Sequence, residues 1–97
     1  MEIVYEIALA HELTERGLHV QRQVPVPIRY KSIHFAEGFR ADCIAEGKVL
    51  LELKSLEHVN AVHKKQVQTY LRLTDLKLGY LLNFGAGLMK DGITRKR

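Results

Sequence analysis

FRADCIAEGKVLLELKS, residues 39–55, is the stretch of sequence that decides the fold. Its apolar segments 39–45 and 49–55 are predicted to be strands, and the turn residues 45–48 between them predict an antiparallel hairpin. The second segment is the most apolar strand candidate in the chain, so we expect it at the centre of the sheet.

Two charged residues interrupt this apolar second strand. Side chains alternate along a strand, so Glu52 and Lys54 point to one face while the leucines between and beside them point to the other. Burying a carboxylate and an ammonium group is costly unless they are paired or bind something. For an isolated Glu-x-Lys, a salt bridge at the margin of a sheet is the common explanation.

Whether Asp42 joins this pair depends on the register of the hairpin. A two-residue turn at 46–47 would place Asp42 across from a leucine of the opposite face. A three-residue loop at 45–47 would place it opposite Leu50 and diagonal to Glu52. Glu-Gly is a weaker two-residue turn signal than Asn-Gly or Asp-Gly, so we predict the longer loop, with Asp42 on the same face as Glu52 and Lys54.

Such a face has a recognisable chemistry. Two carboxylates with open coordination positions suit Mg²⁺, a hard ion that keeps several waters and accepts phosphate oxygens as further ligands. The ion would polarise a phosphoryl group and activate a water, and Lys54 would orient that water or stabilise developing negative charge.

Upstream of the hairpin the periodicity changes twice. Residues 2–16 are mostly good helix formers with apolar residues at helical spacing, and Gly17 follows as a C-cap, which predicts a helix. Residues 18–30 alternate instead and predict a strand. Pro25 and Pro27 cannot donate to a ladder, so this strand is expected at an edge or with a bulge.

Downstream, residues 59–73 predict a second helix, 78–84 a buried strand and 88–97 a short final strand. The order of helix, three strands, helix and strand predicts an α/β fold with a mixed sheet flanked by helices. With 97 residues, the chain is expected to form a single domain, 1–97.

Composition limits the partners and the location. Lys and Arg outnumber Asp and Glu by 15 to 11, which is compatible with a nucleic-acid partner or with a solvated surface and a basic tail. Cys43 is the single cysteine and favours a reducing compartment. No apolar run approaches the roughly 18 residues of a membrane span, so we expect a soluble, cytoplasmic protein without membrane contact.

The ordered set of motifs resembles the PD-(D/E)XK nuclease superfamily, and within it the small bacterial and archaeal GxxExxY family. The superfamily signature of an acidic residue on one strand and Glu-x-Lys on the next corresponds to Asp42 and Glu52-Leu53-Lys54. The remaining similar segments are Glu2-Ile3-Val4-Tyr5, which matches the ExxY half of the namesake motif, Ala8-Leu9-Ala10-His11-Glu12-Leu13, Phe39-Arg40-Ala41, Gln66 with Tyr70-Leu71, and Leu82-Asn83-Phe84-Gly85.

The resemblance implies a restriction-endonuclease-like αβββαβ core and a set of roles. Asp42 and Glu52 would be metal ligands for Mg²⁺, with Mn²⁺ as a substitute, and Lys54 the catalytic lysine. Gln66 is similar to a glutamine that many members carry on the helix after the Glu-x-Lys strand, or it is an ordinary exposed helix residue. Tyr70, one helical turn away, would support it.

Glu2 is a further candidate metal ligand, and Glu12 on the same helix face is a candidate supporting residue. The motif glycine and the preceding helix of the family are not in this sequence, so the domain is expected to be N-terminally short relative to the family. This leaves the role of Glu2 open.

Two functions are therefore expected from the sequence. The first is a Mg²⁺-dependent nuclease that hydrolyses DNA or, less expectedly, RNA. The alternative is a catalytically silent nucleic-acid-binding or protein-interaction module on the same scaffold. A homodimer is compatible with either function.

Overall fold

A computed structural model describes residues 2–85 and 92–97, with the backbone alone for 28–30 and 34–38. These residues form a five-stranded sheet with one helix against each face. In chain order the elements are α1 (Glu2–Glu15), β1 (Val20–Tyr30), β2 (Ile33–Ala45), β3 (Val49–Lys54), α2 (Ala61–Thr74), β4 (Leu78–Asn83) and β5 (Ile93–Lys96).

The strands lie in the order β1-β2-β3-β4-β5. The β3–β4 pair is parallel and the other pairs are antiparallel, which confirms the predicted mixed sheet of an α/β fold. The parallel pair requires a crossover connection, and α2 provides it. The apolar strand β3 is central, as expected, and the proline-containing strand β1 lies at an edge with a register shift between Val26 and Ile28.

Alternation along β3 divides the apolar core into two clusters, one on each face of the sheet. Leu50 belongs to the α2-side cluster, whereas Leu51 and Leu53 belong to the α1-side cluster. The buried members on the α2 side are Ala41, Ile44, Leu50, Val67, Leu71 and Leu81, and those on the α1 side are Cys43, Ala45, Leu51 and Leu53. Glu52 and Lys54 share the parity of Leu50, so the candidate site lies on the α2 side.

The predicted position of the hairpin loop was wrong by one residue. Ala45 pairs with Val49, so the loop is 46–48 and not 45–47. Glu46 and Gly47 are both left-handed, with φ of 56° and 64°. A contact remote in sequence helps to hold this loop: the Glu46 carboxylate accepts a hydrogen bond from His19 N at 2.8 Å, and Glu46 N donates to His19 O at 2.7 Å.

The β1–β2 ribbon is longer than its sequence pattern indicated. We expected the second strand to begin at residue 39, and it begins at Ile33 because it continues to pair with β1 up to Tyr30. Strand β3 pairs only with residues 43–45 of β2. The ribbon therefore extends beyond the rest of the sheet. Its pairing with β3 ends at Cys43, the residue next to Asp42.

In the described part of the chain, neither helix is long and apolar enough to span a bilayer.

The end of β3 is fixed by a clamp from the end of β4. Asn83 is 2% exposed; its Oδ1 accepts from Leu56 N at 2.8 Å, and its Nδ2 donates to Leu56 O at 2.9 Å. Gly85 lies against the same backbone, because a Cβ at this position would be 2.6 Å from Leu56 N and 2.8 Å from Leu56 C. The clamp holds the segment that directly follows Lys54.

We expect Gly85→Ala to lower the free energy of unfolding by about 1–3 kcal/mol, the usual cost of forcing an extra carbon into occupied space. Thermal unfolding measures this as a fall of roughly 4–8 °C per kcal/mol for a domain of this size. The matched control is Gly47→Asn, because Asn tolerates the left-handed conformation and the space around Gly47 is open. Equal melting temperatures for the two variants would contradict the close approach.

Candidate metal centre and catalytic site

Asp42 and Glu52 face one another across the two strands that separate at this point. Cys43 pairs with Leu51, and one further step in the same register places Asp42 directly across from Glu52. The Asp42 Oδ2 atom accepts a hydrogen bond from Leu53 N at 2.8 Å. A side-chain carboxylate thus takes the backbone donor next to Glu52, which fixes Asp42 beside it.

Glu52 is a buried acid with an unsatisfied oxygen. The residue is 9% exposed, and its Oε1 atom has no hydrogen-bond partner among the described residues. Burial, and secondly the negative charge of Asp42, raise the pKa of Glu52 to about 8. Burial also raises the pKa of Asp42, although the hydrogen bond from Leu53 opposes this. Two adjacent carboxyls therefore resist ionisation together.

This arrangement fits a divalent cation. A positive ion beside Oε1 would provide the missing partner and would stabilise both carboxylates in their ionised forms. Among the described residues, no group of three or more His, Cys, Asp and Glu side chains is arranged to hold a metal. The protein would thus supply two carboxylates and leave other coordination positions to water and substrate, which is the pattern Mg²⁺ prefers.

Lys54 lies on the same face as Glu52 and is paired in register with Asn83 of β4. Its charge lowers the pKa of both Asp42 and Glu52, which indicates that its ammonium group lies near them. The ion pairs of the described residues are formed elsewhere, so the salt bridge between Glu52 and Lys54 that the sequence left open is not present among them. The Lys54 ammonium group is thus available to bind a group other than these two carboxylates.

Helix α2 brings Gln66 and Tyr70 to the side of the carboxylates. Gln66 Nε2 donates to the Tyr70 hydroxyl at 2.9 Å, and the Tyr70 ring stacks on Phe39 with 3.9 Å between centroids. The pKa of Tyr70 is raised by burial and then by the negative charge of Glu52. Tyr70 is therefore close enough to the site to sense its charge, and Gln66 is linked to the site through Tyr70.

The two candidate acids of α1 lie in different surroundings. Glu2 Oε2 accepts from Ser55 N at 3.1 Å, which places this carboxylate at the end of β3, one residue after Lys54. Glu12 is exposed and binds Arg16 at 2.8 Å, and this partner lowers the pKa of Glu12. The structure thus brings Glu2 to the margin of the site, while the carboxylate of Glu12 is engaged on the exposed surface of α1.

Sequence reasoning missed one acid near the site. Glu6 is 3% exposed and binds Arg22 and Gln23 of β1. Its negative charge raises the pKa of Asp42, so it lies near that residue. The only sequence signal was its spacing of one helical turn from Ala10, the other buried residue of α1.

Residues 1–96 match a family model described as the PD-(D/E)XK nuclease superfamily. Neither a curated protein nor a solved structure gave a significant match. The matched span includes both carboxylates, Lys54 and Gln66. The observed order of elements, followed by the short strand β5, confirms the restriction-endonuclease-like αβββαβ core.

Proposed function

Since the chain belongs to the PD-(D/E)XK nuclease superfamily, whose nucleases generally use divalent metals, we propose that it is a Mg²⁺-dependent nuclease hydrolysing phosphodiester bonds of DNA. The observation that carries the proposal is the buried, unpartnered Oε1 of Glu52 next to Asp42. We further propose membership of the GxxExxY family, which is supported by the Glu2-Ile3-Val4-Tyr5 segment.

In this proposal Asp42 and Glu52 hold the metal, and Glu2 is a further candidate ligand at the edge of the site. The bound ion would polarise the scissile phosphoryl group and lower the pKa of a bound water. The Leu53 amide keeps the Asp42 carboxylate in place before substrate arrives. This preorganisation means that little rearrangement is needed when charge develops.

Lys54 and the α2 residues act on the phosphodiester itself. The Lys54 ammonium group orients the attacking water or stabilises the negative charge that grows on the phosphoryl oxygens. Gln66 Nε2 donates to the Tyr70 hydroxyl, and an amide of this kind can also donate to a phosphate oxygen of the DNA. The stack of Tyr70 on Phe39 limits the movement of that ring.

DNA is the proposed substrate and RNA is the comparison. The formal net charge of +4 supports a polyanionic partner of either kind. Discrimination would depend on contacts to the 2′-hydroxyl, the group that lets a protein tell RNA from DNA.

The proposal predicts cleavage of nucleic acid that needs both the metal and the site. Purified protein is incubated with single- and double-stranded DNA and RNA in Mg²⁺, in Mn²⁺ or in EDTA. We expect cleavage of DNA with either metal, its loss in EDTA, and its return when excess Mg²⁺ is added. Lys48→Ala is the matched control for Lys54→Ala, because Lys48 is an exposed lysine of the hairpin turn.

Cleavage that continues in EDTA, or that survives Glu52→Ala or Lys54→Ala, would remove the basis for these assignments.

A second candidate function is favoured by the exposed apolar residues Ile3, Val4 and Ile7 of α1, which suit a protein-interaction module or a homodimer. Absence of cleavage together with absence of metal binding would support this candidate.

A further inference from the structure

Glu6 is a buried acid that the proposed chemistry does not use. Its Oε2 accepts from Arg22 Nε at 2.9 Å and from Arg22 Nη2 at 2.8 Å, and its Oε1 accepts from Gln23 Nε2 at 2.7 Å. Both oxygens are therefore satisfied by adjacent residues of β1. A buried carboxylate with such complete pairing holds its partners in a defined geometry, since removing one partner leaves an uncompensated charge.

The partner residue Gln23 has an unusual backbone. Its φ is 51°, so it is left-handed in the middle of a strand, where a residue with a side chain rarely is. Arg22 pairs with Cys43 and Val24 pairs with Ala41, so Gln23 lies directly across from Asp42. The unusual conformation is thus located next to the proposed metal ligand.

In both strands of the β1–β2 ribbon, the alternation of side chains between the two faces of the sheet is interrupted at this position. On β1, Val20 packs against the α1-side cluster and Val24 against the α2-side cluster, although regular alternation would place both on one face. On β2, Cys43 and Ala41 are divided between the clusters in the same way. Asp42 is the residue between them, and it is there that β2 leaves β3 and the carboxylate binds Leu53 N.

We propose that Glu6 is a positioning residue. By holding the side chains of Arg22 and Gln23, it maintains the positive φ of Gln23 at the point where β1 changes faces, and it thereby positions the Asp42 carboxylate beside Glu52. The inference rests on the proposed function for its catalytic consequence, but its geometric part concerns the chain alone. Glu6 itself touches neither metal nor substrate in this scheme.

The test compares two substitutions of Gln23, which is exposed, so that both variants are expected to fold. Gln23→Ala removes the amide that binds Glu6 and disfavours positive φ, whereas Gln23→Gly removes the same amide but adopts positive φ freely. We expect Gln23→Ala to weaken Mn²⁺ binding, measured by calorimetry, by about 10–100-fold, the usual effect of losing a residue that orients a ligand. Gln23→Gly is expected to retain most of the affinity.

Hydrogen exchange of the Leu53 amide provides a readout that does not depend on metal or activity. Because this amide donates to Asp42, its protection should fall in Gln23→Ala and persist in Gln23→Gly. Glu6→Gln should behave like Gln23→Ala, and adding Gln23→Gly to it should restore protection. In cleavage assays the loss should appear in kcat with KM unchanged, because the DNA contacts are not altered.

The outcomes separate the two levels of the proposal. If Gln23→Ala and Gln23→Gly bind Mn²⁺ equally and protect Leu53 equally, the positioning role of Glu6 is overturned. If the unaltered protein neither binds Mn²⁺ nor cleaves DNA, the nuclease proposal fails, and exchange of Leu53 alone decides whether Glu6 places Asp42.

Discussion

Glu52→Gln is expected to lower the rate of cleavage by about 10³-fold or more. The same substitution is expected to stabilise the metal-free protein at pH 8 and above. The first effect follows from losing an anionic metal ligand. The second follows from the pKa of about 8 that burial and Asp42 impose on Glu52. A substitution that removes cleavage and also raises stability would identify a group that is kept for chemistry and not for folding.

The direction of the stability effect can be worked out from that pKa. The folded-state pKa of Glu52, about 8, lies above the ordinary value of 4.5, so the folded protein binds a proton that the unfolded chain has released. Stability from this group is therefore fully present below pH 4.5 and is lost as pH rises through 8. Glutamine does not titrate, so the advantage of Glu52→Gln should grow over this interval by about 1.4 kcal/mol per pH unit, to about 5 kcal/mol above pH 8.

Thermal unfolding in EDTA at several pH values measures this difference, with roughly 4–8 °C expected per kcal/mol. Glu57→Gln is the matched control, because Glu57 is an exposed acid in the loop after β3. Its melting temperature should follow that of the unaltered protein at every pH. A Glu52→Gln variant that is less stable than the unaltered protein at pH 8 would show that the ionised carboxylate has a favourable partner after all.

Mg²⁺ affinity should rise steeply with pH below 8. A coordinating carboxylate must lose its proton, and the pKa of Glu52 is raised to about 8, so each pH unit below that value costs about tenfold in affinity. Glu52 is half ionised at pH 8 and about 1% ionised at pH 6, so binding at pH 6 is expected to be roughly 50-fold weaker than at pH 8. At a free Mg²⁺ concentration of 100 times Kd, the ion should stabilise the protein by about 2.7 kcal/mol.

Calorimetric titrations in two buffers with different ionisation enthalpies measure both the affinity and the protons released. About one proton per ion is expected at pH 6 and fewer at pH 9. The control is Glu52→Gln, which should show no comparable pH dependence. Affinity that stays constant between pH 6 and pH 9, with no proton release, would exclude Glu52 as the titrating ligand.

Several features of the site could be predicted because they depend on local patterns. Strand alternation placed Glu52 and Lys54 on one face, and the missing amide hydrogens of Pro25 and Pro27 placed β1 at the edge. The shared face of Asp42 was also correct. The proposed loop was displaced by one residue, but the predicted and observed registers both keep Asp42 on the face of Glu52.

Other features depend on contacts between distant segments, and these left no local signal. The hairpin loop is held in part by contacts between His19 and Glu46, and a turn propensity cannot report that pair. On α1, the apolar residues Ile3 and Ile7 are 47% and 51% exposed, whereas Glu6 is buried. Hydrophobic spacing ranks a glutamate as a surface residue, and only its partners on β1 explain why it is inside.

The short pairing between β2 and β3 has a consequence for the length of the turn. An exposed loop ordinarily accepts insertions and deletions, because no buried group depends on its length. The turn at 46–48 is exposed, yet the chain enters β3 only a few residues before Glu52 and leaves β2 only a few residues after Asp42. A slip of one residue would turn one acid to the other side of the sheet. The turn is thus expected to tolerate changes of residue type, whereas an insertion or deletion there that shifts the register by one residue would separate Asp42 from Glu52.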